Sequence, residues 1–456
     1  MTQVNLSKTV GVEDQTVGTP DPASTGSAVT ANPEPAVPPP ENPPLLLPAP
    51  VYPGGLDPAK LALFSEQMKK LEAELKNIFP EREHLVSQLV FALLSREHVL
   101  VHGVFGTGKS DLLSALYSCF ETPTVFSIAL NKFMSESHVI GVPNPKQMRE
   151  EGVLNYQREG GILDAHLVEL DEVLDANAPL LRVLLGILNE RTFKRGRQVE
   201  KALLHTAVAS TNGDPVAVVK SAPELGAVID RFIFIAKVNY LEAAESRRRM
   251  YAKFVGDERP SVRISFDDLV AVSNLVCGSE IALDAEFLAV YDDVIQAYRK
   301  AYEKDQTVKI SDRRACKLIK LVRASAAING RSEVSFEDLY AVRWGLCVGN
   351  DRSQHETFMK VAKPIVDKAI EQKKQSFDEV CVQLLKKYES EIPTLDDKTP
   401  LSNDELVQLI RQVGALDKQI REVKPQLPSN LDFQKKMRER LAALSAKLND
   451  RLLPVK

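Results

Sequence analysis

The stretch Gly103-Val104-Phe105-Gly106-Thr107-Gly108-Lys109-Ser110 constrains the fold of this chain more than any other. It fits G-x-x-x-x-G-K-[ST]. The apolar run Val99-Leu100-Val101 precedes it, and the helical pattern Asp111-Leu112-Leu113-Ser114-Ala115-Leu116 follows. A strand, a glycine loop and a helix in that order form a phosphate cradle. Glycines let backbone N–H groups turn inward onto phosphate oxygens, and the helix N-terminus adds the positive end of its dipole. Lys109 is then placed to reach the β- and γ-phosphates, and the Ser110 hydroxyl to ligate Mg²⁺.

The rest of the chain supplies a sheet for that loop. Short apolar runs at Val99–Val101, Val125–Leu130, Leu167–Leu170, Thr206–Ser210 and Phe232–Ile235 alternate with helical patterns. Such alternation predicts a parallel sheet covered on both faces, with ligands outside the carboxyl ends of the strands. The fold class expected is α/β, a P-loop αβα sandwich with an all-α lid and a helical C-terminal extension. Ordered structure is expected from Leu56, with helices over Ala62–Phe79 and Glu83–Leu94. Residues 56–240 are read as the nucleotide-binding domain, 241–349 as the lid and 350–456 as the extension.

In the lid, Ser265-Phe266-Asp267-Asp268 and Ser335-Phe336-Glu337-Asp338 read as capping boxes. Helices are expected from Asp284 to Ala301 and from Arg313 to Ala327. In the extension, Leu406, Leu409, Ile410, Val413, Leu416 and Ile420 form one helical stripe. Met437, Leu441, Leu444, Leu448 and Leu452 form another, the mark of helix packing. Residues 1–55 are rich in proline and read as a disordered or polyproline-II tail. Leu45-Leu46-Leu47 within it is either a docking peptide or incidental hydrophobicity.

Charge narrows the partners. The net charge is −4. The excess acid lies in the tail, where Glu13, Asp14, Asp21, Glu34 and Glu41 stand against Lys8. Charges balance beyond it, which gives no electrostatic case for nucleic-acid binding. The five cysteines are scattered without a C-x-x-C pair, which argues for a reducing compartment and against structural zinc. No signal peptide or stretch of about 18 apolar residues is present, so no membrane span and a cytoplasmic location are expected.

A second motif, Leu167-Val168-Glu169-Leu170-Asp171-Glu172, ends a strand in adjacent carboxylates. Asp171 is suited to hold Mg²⁺ through water, and Glu172 to orient and deprotonate an attacking water. Glu169 is unusual inside a strand and is expected to face an edge or a subunit contact. Asn212 follows another strand. Its amide can position the lytic water and sense the γ-phosphate, or simply make a turn. Arg231 can stabilise phosphate charge across a subunit interface, or pair with Asp230 at the surface. Arg313 and Arg314 open a helix where basic residues oppose the dipole, and one of them could swing onto the phosphates when the domains close.

Together these residues resemble an AAA+ ATPase. Asp171-Glu172-Val173 through Ile187-Leu188-Asn189-Glu190-Arg191-Thr192-Phe193 is similar to the MoxR family, especially its RavA-like branch, as is Ser311–Arg331. The resemblance covers residues 60–350. It implies ATP and Mg²⁺ as cofactors, homo-oligomeric hexamer rings, and nucleotide bound at subunit interfaces. Asn212 is then the sensor-1 position, Arg231 the trans arginine finger and Arg313 the sensor-2 position. Segments 139–161 and 193–197 resemble two hairpins of the family, the first projecting toward the central channel; the alternatives are a surface hairpin with no substrate role and a turn solvated by its charges. Val104-Phe105 departs from the family's Pro-Pro, and no β-rich insertion interrupts the C-terminal helices. The implied activity is ATP hydrolysis that remodels or matures a protein client, with a von Willebrand A domain protein as the implied partner class. A nucleic-acid-stimulated motor and a nucleotide-gated assembly scaffold are the alternatives.

Overall fold

A computed structural model describes residues 57–452 apart from 152–155, 196–197, 223–224, 257, 279, 306–309, 349–350 and 394–400. The expectations for the tail, Leu45-Leu46-Leu47 included, lie outside the described residues, as do the centres of the two hairpin segments.

Helix α1 (Pro58–Ile78) starts on Asp57, whose carboxylate accepts the Ala59 N–H at 3.1 Å. Helix α2 (Glu83–Ser95) is buried along almost its whole length. Strand β1 (His98–Gly103) leads through the glycine loop into α3 (Lys109–Tyr117). Strands β2 (Val125–Ala129) and β3 (Leu167–Asp171) follow. Next come α4 (Ala178–Glu190), β4 (Thr206–Thr211) and β5 (Phe232–Val238). The five strands form one parallel sheet in the order β2-β3-β4-β1-β5. The parallel, two-sided burial expected from the apolar runs is present: β1 and β4 are buried at nearly every position. Because all strands run the same way, Gly103, Asp171 and Thr211 share the carboxyl end of the sheet.

Helix α5 (Ala244–Gly256) leaves the sheet and packs near the phosphate-loop helix, where Lys253 pairs with Asp111 and Arg259 approaches it to 3.3 Å. Then come α6 (Phe266–Cys277), α7 (Ala285–Ala301) and α8 (Asp312–Ile328). Their apolar faces join α1, α2 and one face of the sheet in a single core. A two-residue parallel bridge, Phe120–Glu121 with Ile264–Ser265, interrupts the all-helical pattern expected for the lid.

The two proposed capping boxes differ. Ser335 forms one, with its N–H donating to Asp338 at 2.8 Å, though it opens a 3-10 helix. Ser265 is the N-cap of α6 but makes no side-chain cap bond. Its backbone is engaged in the bridge to Glu121, so strand pairing sets this helix start where a box was expected.

Helix α9 (Arg352–Ser390) is 39 residues long, about 58 Å. Its first half packs into the main core through Phe358, Ala362, Val366 and Ala369. Its second half joins α10 (Asn403–Glu422) and α11 (Pro428–Leu452) in a separate core containing Cys381, Leu385, Val413, Ile420, Met437 and Leu441. Buried Asp378 fixes that junction by accepting the N–H groups of Gln426 at 2.7 Å and Leu427 at 2.6 Å. Both leucine stripes read from the sequence contribute their inward residues to this core.

Candidate functional site

The site lies at the carboxyl ends of β1, β3 and β4. Gly103 ends β1 at φ 145°, and a Cβ there would fall 1.9 Å from the Val238 carbonyl oxygen. Only glycine lets the loop leave the sheet so close to β5. Gly108 caps α3 at φ 76° with nothing within 4 Å of where a Cβ would stand, so the loop opens onto free space. Thr107 Oγ1 donates to Val104 O at 3.0 Å and stiffens the turn from inside. Lys109 Nζ donates to the loop carbonyl of Gly103, at 3.5 Å. Phe105 projects outward, 73% exposed.

Asp171 closes β3 beside this loop and accepts a hydrogen bond from Ser210 Oγ on β4. Glu172 adopts φ 52°, the left-handed region, at the start of a 3-10 turn over Val173–Asp175. A glutamate in that region is held there by its surroundings. Here the Glu172 N–H donates to Asp171 Oδ1 at 3.2 Å, and Asn212 fixes the side chain. Its backbone N–H donates to Glu172 Oε2 at 3.3 Å, and its side-chain amide donates to Oε1. Burial raises the Glu172 carboxyl above its ordinary value; the Asn212 backbone bond opposes this, and Asp171 and Asp175 add to it.

These groups fit a magnesium nucleotide. The loop is open above Gly108, Lys109 has no carboxylate partner among the described residues, and Ser110 and Asp171 offer the hard oxygen donors that Mg²⁺ takes. Gly103, Val104, Phe105, Gly106, Thr107, Gly108, Lys109 and Ser110 would surround the phosphates.

Glu169 is not at an edge. Its strand lies between β2 and β4, and it pairs in register with Ser127 and Val208. Ser127 Oγ donates to it at 3.2 Å, and the Ser110 hydroxyl also stabilises its charge. The acid is tolerated inside the sheet because it sits two residues before Asp171, on the face that leads to the phosphate loop.

The arginines lie elsewhere. Arg231 precedes β5 at its amino end, mostly covered, with Nη1 on Ala227 O at 3.1 Å and 3.8 Å from Asp230. Asp230 also accepts Ser311 Oγ at 3.3 Å and stands 3.9 Å from Arg313, which is half-exposed. Phe232 pairs with His98 and Val238 with Gly103, so Arg231 and Arg313 stand a full strand, about 20 Å, from the loop. Asp230 anchors this helix start at the amino end of β5, so Arg313 stands away from the loop. Arg314 is buried and donates to Ile233 O and Gly345 O at 2.6 Å each. Its role is in the core.

Sequence reading missed three residues. Ser210 orients Asp171. Arg82 donates to Thr107 O at 3.3 Å and Asn239 O at 2.8 Å, joining the loop to the end of β5. Glu81 accepts the N–H groups of Glu242 at 2.8 Å and Ala243 at 2.9 Å. An Arg and a Glu ahead of a helix carry no motif, so nothing in the sequence marked them.

The first hairpin segment is closed by a Pro143–Tyr156 bridge. The second, Thr192–Arg195 with Gln198–Lys201, touches it where Arg195 lies over the Tyr156 ring at 5.2 Å and 3.6 Å from Glu136.

The sheet order, phosphate loop, paired carboxylates and helical lid define a P-loop protein of the AAA+ ATPase class. Residues 66–270 match the family described as the MoxR domain in the MoxR-vWA-beta-propeller ternary systems, and residues 290–361 match the AAA lid domain. Across these two stretches the chain is a MoxR-family AAA+ ATPase module. Similar proteins include an uncharacterized protein of Methanocaldococcus jannaschii, 27% identical over 60% of this chain and 70% of that one. A second from the same organism is also 27% identical, over 61% and 69%. Chaperone MoxR1 of Mycobacterium tuberculosis is 26% identical over 64% of this chain and 76% of its own length. Among the described residues, no helix is long and apolar enough to cross a membrane.

Proposed function

We propose that this chain hydrolyses ATP with Mg²⁺ as a subunit of a homo-oligomeric ring, a hexamer by resemblance, and uses the cycle to remodel or mature a protein client. The observation that carries this reading is the separation of two charge sets across one sheet. Lys109, Asp171, Glu172 and Asn212 gather at the carboxyl ends of the strands, while Arg231 and Arg313 stand about 20 Å away at the amino end of β5. An arginine side chain is too short to bridge that distance. In this reading both arginines serve the nucleotide of a neighbouring subunit, so each site is complete only in the ring.

Bound magnesium would neutralise charge growing on the transferring phosphoryl group. Ser110 would hold it directly and Asp171 through water, and Ser210 orients Asp171. Lys109 leaves the Gly103 carbonyl for the phosphates. Glu172 accepts the proton of the attacking water on its carboxylate, and Asn212 aims that carboxylate. Residues 56–240 carry the nucleotide, 241–349 act as lid and 350–456 form the extension.

The matched family, described as the MoxR domain in the MoxR-vWA-beta-propeller ternary systems, supports a vWA-domain protein as the client class. The RavA-like branch is our finer reading, resting on Ser311–Arg331 and the long C-terminal helices.

Glu172→Gln tests the chemistry. It should keep ATP affinity and assembly while turnover falls by at least about 100-fold. Near-normal turnover removes Glu172 as the base. An ATP-loaded Glu172→Gln ring used as bait should retain a vWA-domain protein; retention of nucleic acid in its place would overturn the client assignment.

A further inference from the structure

A cavity of about 590 Å³ lies between the first turn of α2 and the start of α9, away from the phosphate loop's carboxylates. Its floor is the indole of Trp344, with His84 and His355 packed edge-on at 5.5 and 5.6 Å. The volume is that of a small-molecule site.

Its charge is one-sided. Arg343, Arg352, Lys360 and Lys363 line it against one acid, Glu356. Arg352 is occupied by Glu356 at 2.8 Å, and Lys363 by Asp367 at 3.2 Å. Arg343 and Lys360 have no carboxylate partner among the described residues. Arg343 is half-buried, lies over the Trp344 ring at 4.7 Å, and has as its hydrogen-bond acceptor only the Met359 sulfur at 3.8 Å. His355 Nε2 is buried without a partner. A guanidinium taken out of water normally has a carboxylate or carbonyl to offset its desolvation, and a buried ring nitrogen a partner. Here the Arg343 guanidinium lines the cavity without either, beside the His355 ring.

Burial holds His355 down to about 4 and also lowers His84, with neighbouring Arg343 acting in the same direction on both. The two imidazoles are therefore neutral and polar near neutral pH. The fixed charge belongs to the arginines and lysines.

We infer that this cavity binds a small organic phosphate: its planar part lies against Trp344 and its phosphates meet Arg343 and Lys360. A planar guanidinium stacked on an indole suits both halves of such a ligand. Its size favours a nucleotide or polyphosphate over an extended peptide. The wall belongs to the same helix whose preceding residue, Arg82, holds Thr107 of the phosphate loop, and Gln88 one turn on donates to Trp344 O at 2.9 Å.

Trp344 is the only tryptophan in the chain, so its fluorescence reports on this cavity alone. The test uses the full chain carrying Lys109→Ala, which disables the phosphate loop and separates this proposal from the one above. ADP and inorganic pyrophosphate are titrated separately, with adenosine as the uncharged arm. A saturable, salt-sensitive change below about 1 mM is expected with ADP. A response to pyrophosphate alone keeps the phosphate site and names polyphosphate as its occupant. Arg343→Gln should weaken binding at least about tenfold. Lys360→Glu, at an exposed position that folding does not need, should weaken it too. No response to either phosphate, an equal response to adenosine, or an unchanged titration in Lys360→Glu overturns the proposal.

Discussion

Asn212 grips Glu172 at both carboxylate oxygens, with its backbone N–H on Oε2 at 3.3 Å and its side-chain amide on Oε1. The grip has a consequence for pH. Burial raises the Glu172 carboxyl, and the Asn212 backbone N–H pulls against it; the side-chain amide, a second donor to the same carboxylate, favours the ionised form in the same way. A base must be ionised, so turnover should rise with pH through this group. Asn212→Ala removes the side-chain amide and should move that acid limb to higher pH, with a larger loss at pH 6 than at pH 9. The pH–rate profile of single-turnover hydrolysis checks this; an unmoved limb would detach Asn212 from the base.

Arg231 and Arg313 share Asp230 at the far end of β5 from Lys109. Arg231→Ala and Arg313→Ala should each lower turnover, the first by about 10³ or more. Neither should weaken nucleotide binding to the chain's own loop by more than a few-fold. Mixing Arg231→Ala with Lys109→Ala subunits should restore turnover, because some interfaces then pair an intact loop with an intact arginine. Mixtures as inactive as their components would place the arginine's role within one chain.

Arg314 separates from its neighbour in kind. It donates to Ile233 O and Gly345 O from full burial. Arg314→Ala strands those carbonyls and should destabilise the protein by about 3 kcal/mol. Arg313→Ala should cost less than about 0.5 kcal/mol, as half-exposed surface changes do. Urea denaturation of the two variants compares them directly. Equal losses would refute the assignment of one arginine to the core and the other to the surface.

Glu97 ties β1 to the lid helix α8. It is 3% exposed and pairs with Lys317 at 2.8 Å and Lys320 at 2.7 Å. Burial opposes its charge, but the two lysines prevail and hold it down at about 2. A depressed carboxylate contributes stability above its unfolded value, near 4.5, and loses it as pH falls towards 2. Glu97→Gln should therefore be less stable than the parent by about 3 kcal/mol at pH 7, with the gap closing below pH 4. A gap that stays constant with pH would mean the pair does not titrate with folding.

Much of this was legible because the chemistry is local. A glycine loop between strand and helix, and a strand ending in two carboxylates, are each encoded in fewer than ten adjacent residues. The strands Val99–Val101 and Phe232–Ile235 were readable as unbroken apolar runs for the same reason. Glu169 was misplaced because its partners, Ser127 and Ser110, come from other elements. Ser265 was misread because a capping signature carries no information about a bridge to Glu121. Arg82 escaped because its acceptors are backbone carbonyls at Thr107 and Asn239, which any sequence supplies.

The sequence alone determined that a phosphate loop, a pair of acids and a set of arginines exist, and that a parallel sheet carries them. Side-chain type and short-range period suffice for that. The tertiary structure decided which arginine is half-exposed and which is buried, and on which end of the sheet each group stands. Arg313 and Arg314 are adjacent and chemically alike; a helix turn of about 100° per residue sends one to Asp230 and the other into the core against Gly345. Direction of that kind depends on what packs around the helix, and packing is a property of the whole fold.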